Sequence, residues 1–199
     1  MKTDEIESIG KLEKLMARHG ERGFGFILQV LLALTFHRIG FQIDALNMPS
    51  GHPDIAVSKV NERYAIEVKT CYDLDVVFQK RDLNGVKREG YLGIVAAMFP
   101  RLGPTWCLCD VRHLSTGRKT RDDLKRGSQL EKLENEINTA FPEVLRKYFL
   151  SATRGAGALA KEISPSENPQ RLDFSTFDFE KWRRGKGFEP PMCLFYRTN

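Results

Sequence analysis

The chain has 199 residues, of which 41% are hydrophobic and 29% charged, long enough for one domain with a modest extension and a real buried core. Lys and Arg outnumber Asp and Glu by 31 to 26, giving a net charge of +5. That excess permits a polyanionic partner without requiring one, and the balanced composition excludes collagen-like, low-complexity and disulfide-dense classes.

In chain order, residues 5 to 19 place Ile6, Ile9, Leu12, Leu15 and Met16 at helical spacing. Gly20 and Gly23 interrupt, and residues 24 to 39 read as a second, strongly apolar and buried helix that Gly40 closes. Its apolar run, residues 24 to 36, is shorter than the about 20 residues a bilayer span takes. The N-terminus, Met1-Lys2-Thr3-Asp4-Glu5, is polar and acidic, unlike a signal peptide, so a cytoplasmic protein is expected. Phe41-Gln42-Ile43 begins a strand, and residues 47 to 53 form a loop. Asp54-Ile55-Ala56-Val57-Ser58 is a short strand, Asn61-Glu62 a turn, and residues 64 to 69 a second strand antiparallel to the first. Residues 75 to 89 are expected to be helical, and 91 to 98 and 106 to 111 to be strands.

Beyond that point the pattern changes. Residues 121 to 140 predict a long amphipathic helix broken near Pro142, and 143 to 162 another with a weak point at Gly155-Ala156-Gly157. The tail from Ser164 is rich in Pro, Phe and Arg, with an edge strand over 192 to 196. The expected class is α/β, a mixed sheet flanked by helices: residues 1 to 112 form the core with its N-terminal helix, and 113 to 199 a helical extension and tail packed on that core. The four cysteines, Cys71, Cys107, Cys109 and Cys193, show no zinc or disulfide spacing. Cys107 and Cys109 share one face of a strand and are expected as reduced core residues.

Chemistry concentrates in Gly51-His52-Pro53-Asp54 and, further on, Glu67-Val68-Lys69. Period-two alternation puts Glu67 and Lys69 on one face, and the hairpin through residues 59 to 63 brings Asp54 alongside Glu67. Two carboxylates and an ammonium then meet at one end of a sheet. Carboxylate oxygens suit a hard cation such as Mg²⁺, with Mn²⁺ as a substitute, leaving room for water and a substrate phosphate. Lys69 would orient or deprotonate that water, or place positive charge beside the reacting phosphorus. The competing reading is a solvated strand face, with Asp54 as a turn residue.

Pro53-Asp54 followed by Glu67-Val68-Lys69, on a hairpin behind a buried helix, resembles the PD-(D/E)XK nuclease superfamily, the restriction endonuclease-like fold shared by many restriction enzymes and archaeal Holliday-junction resolvases. The resemblance covers about residues 20 to 112. It implies Asp54 and Glu67 as metal ligands, the carbonyl of Val68 as a further ligand, and Lys69 as the catalytic lysine. It implies a metal-dependent endonuclease cutting the phosphodiester bonds of DNA in restriction, recombination or repair, acting as a homodimer where both strands are cut. Many members also carry an acidic residue on the first core helix. Gln29 stands in that region here, either at that position or as a polar core residue, and Glu21 is the nearest carboxylate. Gln79 matches a polar residue that several members place against the site, and an exposed glutamine explains it equally. Because Gln29 is not acidic, the alternative is a nucleic-acid-binding or assembly module of the same fold with weakened catalysis.

For nucleic acid, one basic cluster is Arg112, Arg118, Lys119 and Arg121, and a second is Lys181, Arg183 and Arg184 around Trp182, which could stack on a base. His52, beside the motif, is a candidate phosphate contact or a plain loop residue. No Gly-rich phosphate loop, nucleophile elbow or dinucleotide fingerprint is present.

Overall fold

The computed structural model describes residues 3–46, 52–70, 75–124, 128–155 and 158–159. The end of the expected helix over 143 to 162, the tail with its strand over 192 to 196, Cys71 and Cys193 lie outside them.

Helix α1 (Thr3–Arg38) joins the two helices read from the sequence end to end. The break falls at Gly20 alone, with φ 64° and ψ 176°, a conformation that essentially only glycine adopts without strain. Gly23 stays helical. Gly40, at φ 94°, turns the chain out of the helix. A sheet follows, built from β1 (Gln42–Leu46), β2 (Ile55–Lys59) and β3 (Glu62–Thr70). It continues with β5 (Leu92–Met98) and β6 (Trp106–Asp110), which come after β4 (Asp75–Phe78) in the chain. The five-stranded order is β1-β2-β3-β5-β6, antiparallel except for the parallel β3–β5 pair at its centre.

The expected helix over 75 to 89 is corrected. Residues 75–78 form β4, and only α2 (Lys80–Gly85) is helical. Val76 and Phe78 are buried while Val77 is half-exposed, the two-residue period of a strand, and β4 pairs with β7 (Gly117–Thr120) in a separate two-stranded ribbon. The expected break at Pro142 is also corrected. Helix α3 (Ser128–Arg154) runs through it, and residues 121–124 form a turn before it. A proline inside a helix costs about 3 kcal/mol. Against it, α3 buries Leu133, Ile137, Phe141, Val144 and Leu145 in the main core. At about 1.5–3 kcal/mol for each large apolar side chain, burial wins.

The two faces of the sheet differ. Tyr64, Ile66 and Val68 of β3 lie on one face with Ile94, Ala96 and Met98 of β5 and with Trp106 and Leu108 of β6, in the core shared with α1 and α3. On the other face Val95, Ala97, Cys107 and Cys109 pack with Val76 and Phe78 of the ribbon. Both described cysteines are buried thiols outside any disulfide. Glu67 and Lys69 stand in register with Val95 and Ala97, so they belong to the second face, beside the ribbon and α2. Among the described residues, no helix is long and apolar enough to cross a membrane.

Candidate active site

The hairpin supplies the reacting groups. β2 and β3 pair from Lys59↔Glu62 to Ile55↔Ile66, so the residue before Ile55 lies beside the one after Ile66. Asp54 is that residue. Its Oδ2 accepts a hydrogen bond from the backbone N–H of Val68 at 2.8 Å, which fixes the carboxylate against the peptide between Glu67 and Lys69. The Nζ of Lys69 lies 2.9 Å from Oε1 of Glu67. Their side chains are only 25% and 12% exposed, less than a fully solvated strand face leaves.

A further carboxylate completes the group. Asp82, on α2 and 8% exposed, places its Oδ2 3.0 Å from Lys69 Nζ. The same oxygen accepts from the backbone N–H of Gln79 at 2.8 Å. The sequence reading missed Asp82. Its one local trace is the spacing Gln79-x-x-Asp82, in which an acidic side chain in the first turn reaches back to the residue that starts the helix.

The electrostatics follow from crowding. Burial, and then the neighbouring Glu67, push the Asp54 carboxyl up to about 8, against the opposing pull of the Val68 amide and Lys69. Burial also raises Glu67, which Lys69 only partly offsets. Burial alone would lower Lys69, but Glu67 and Asp82 hold its ammonium above the ordinary lysine value. With protein groups alone the charged ammonium of Lys69 is therefore favoured. Asp54, Glu67 and Asp82 crowd one half-buried cation, Lys69, with Arg81 3.8 Å from Asp82 and largely exposed. With all three carboxylates ionised the site would carry more negative charge than Lys69 neutralises, which is part of why Asp54 and Glu67 hold their protons to raised pH. An all-oxygen donor pair fits a hard divalent cation that keeps several waters. Among the described residues, no three His, Cys, Asp or Glu side chains converge into a ligand set, so the protein would offer such an ion no more than two of these side chains.

The remaining candidates fall elsewhere. Gln29 is half-buried on α1, one turn beyond Gly25, where an added Cβ would lie 3.3 Å from Thr70 Oγ1. That helix covers the apolar face, opposite Glu67 and Lys69. Glu21 is exposed next to the break in α1. Gln79 starts α2 and is exposed; it meets the site through its backbone N–H. His52 is exposed in the bend before Asp54. Arg112 is bound to Asp110, with Nη2 2.6 Å from Oδ2, at the opposite end of β6 from Lys69. Arg118 pairs with Asp75 at 3.0 Å, Lys119 donates to Ser115 and Arg121 to Thr105. Lys181, Trp182, Arg183 and Arg184 lie outside the described residues.

No family model matches this chain, and no curated protein does. Among solved structures the chain is similar to the 1.6 Å structure of Hjc, a Holliday junction resolvase from the archaeal hyperthermophile Archaeoglobus fulgidus. The match has 20% identity and a TM-score of 0.40, and covers 47% of this chain and 85% of that one.

Proposed function

We propose that the chain is a PD-(D/E)XK-type metal-dependent endonuclease that hydrolyses phosphodiester bonds of DNA. One observation carries this reading. Asp54, Glu67 and Lys69, separated in sequence, meet on one sheet face, with the Asp54 carboxylate bonded to the peptide between the other two. Asp54, Glu67 and the Val68 carbonyl would hold Mg²⁺ or Mn²⁺, which when bound polarises the scissile phosphate and lowers the pKa of a coordinated water. Lys69 keeps its charge at neutral pH and is placed to offset negative charge building on the phosphoryl oxygens. The partial burial of Glu67 and Lys69 keeps bulk water from screening that interaction. With one such site per chain, cutting both strands of a duplex takes two chains, so a homodimer is the working form.

The second reading, a binding module of the same fold with little turnover, is favoured by the lack, among the described residues, of a third ligating side chain beside Asp54 and Glu67. Plasmid and branched DNA incubated with purified protein in Mg²⁺ and in Mn²⁺ separate the two. The wild type is expected to cut, and Asp54→Ala and Lys69→Ala to lose about 100-fold or more, as removal of a transition-state donor does. Equal cutting by all three proteins rejects the site. Binding by all three without cutting favours the module.

A further inference from the structure

Lys69 is tethered twice, and the two tethers are not equivalent. Its ammonium, with three protons to donate, is shared between Glu67 Oε1 at 2.9 Å and Asp82 Oδ2 at 3.0 Å. Glu67 is one of the two carboxylates that would bind a cation. An ion there would draw on the carboxylate Lys69 uses, and its charge would repel the ammonium. Were Glu67 the sole tether, loading the site would cast Lys69 loose at the moment it is needed.

Asp82 stands apart from that conflict. It comes from a different element, α2. Its position is fixed without Lys69, because Oδ2 already accepts from the Gln79 N–H at 2.8 Å and its own N–H is bonded to the Gln79 carbonyl at 3.0 Å. Burial to 8% exposure keeps water from competing for the pair.

We propose that Asp82 is a positioning residue whose carboxylate, anchored at the start of α2, holds the Lys69 ammonium in place while Glu67 serves a divalent cation. The proposal rests on the cation-site reading above. It gives α2 a role beyond packing: the short helix fixes the lysine's second anchor.

The test reads the lysine directly. A lysine ammonium held by carboxylates gives a slowly exchanging ¹⁵N–¹H signal, assigned here by its absence in Lys69→Arg. Calorimetry first establishes whether Mg²⁺ binds the wild type. The wild-type Lys69 signal is expected to persist at Mg²⁺ saturation. In Asp82→Asn it is expected to survive without Mg²⁺ and vanish on its addition, while Mg²⁺ affinity changes by less than about 3-fold. Cleavage by Asp82→Asn is expected to lose about 100-fold in kcat with little change in KM, the size of effect a misplaced group produces, and Asp82→Glu to recover part of it. Loss of the wild-type signal on Mg²⁺ binding overturns the proposal and needs no variant to fold. Persistence of the signal in Mg²⁺-loaded Asp82→Asn also overturns it. Absence of Mg²⁺ binding by the wild type, seen in the calorimetry alone, defeats the cation reading and the proposal with it.

Discussion

Asp54 is half-buried with Glu67 beside it, and together these push its carboxyl to about 8 from an ordinary 3.8. Between those values the folded protein keeps a proton that the unfolded chain has released. Folding takes up a proton across that window, so metal-free stability falls as pH rises through it and levels off above about 8. Asp54→Asn removes the group, so the Tm of the variant relative to wild type is expected to climb from pH 5 to 8 and stay level above. A difference that does not vary with pH would show that Asp54 ionises normally. At pH 8, Mg²⁺ at about 100 times its Kd is expected to stabilise the wild type by about 2.7 kcal/mol, roughly 5–10 °C in Tm, and the variant by much less. The trio Asp54, Glu67 and Lys69 was legible in the sequence because a short hairpin fixes register and period two fixes face. Asp82 was not. Its meeting with Lys69 depends on how α2 docks on the sheet, which no local pattern encodes.

β6 ends the five-stranded order, and α3 closes it with side chains in place of a strand. Asn138 accepts from the Trp106 N–H at 2.7 Å and donates to the Trp106 carbonyl at 2.9 Å, the paired bonds a neighbouring strand would make. Glu134 accepts from the Leu108 N–H at 2.7 Å. The match is geometric: four residues of helix advance about 6 Å and two residues of strand about 6.6 Å, so positions 134 and 138 meet alternate residues of β6. Asn138→Ala leaves both backbone groups of Trp106 unpaired beside a buried indole. It is expected to cost about 2–4 kcal/mol in urea unfolding, at the usual penalty for two orphaned groups, and to expose an edge prone to self-association. A loss below about 0.5 kcal/mol would mean that water substitutes for the amide. None of this was readable beforehand, since Glu134 and Asn138 look like the solvent side of an amphipathic helix. β7 escaped for a related reason: Gly-Arg-Lys-Thr has no apolar alternation, and only pairing with β4 makes it a strand. The buried half of α1 and the central strands were legible because their apolar runs match their lengths.

For the whole molecule, a net charge of +5 says little until the cations are placed. Glu67 and Lys69 lie near the C-terminal ends of the parallel strands β3 and β5, the end at which β6 begins. Arg121 reaches Thr105, just before β6, and so stands at the site end, whereas Arg112 follows Asp110 at the far end. Their partners differ as well. Arg112 is bound to a carboxylate through several hydrogen bonds, and a phosphate would have to displace Asp110 to reach it. Lys119 and Arg121 donate to the hydroxyls of Ser115 and Thr105, bonds that an anionic oxygen can replace with gain. On the reading that the site acts on DNA, the phosphates should be neutralised by Lys119 and Arg121 more than by Arg112. Each phosphate contact contributes about 0.9 to the slope of log K against log salt. In a Lys69→Ala background, which keeps the duplex intact, Lys119→Ala and Arg121→Ala are each expected to flatten the slope by about 0.9 and weaken binding alike for every sequence. Arg112→Ala is expected to leave the slope nearly unchanged. The reverse ranking would move the DNA path to the other end of the sheet, away from Glu67 and Lys69.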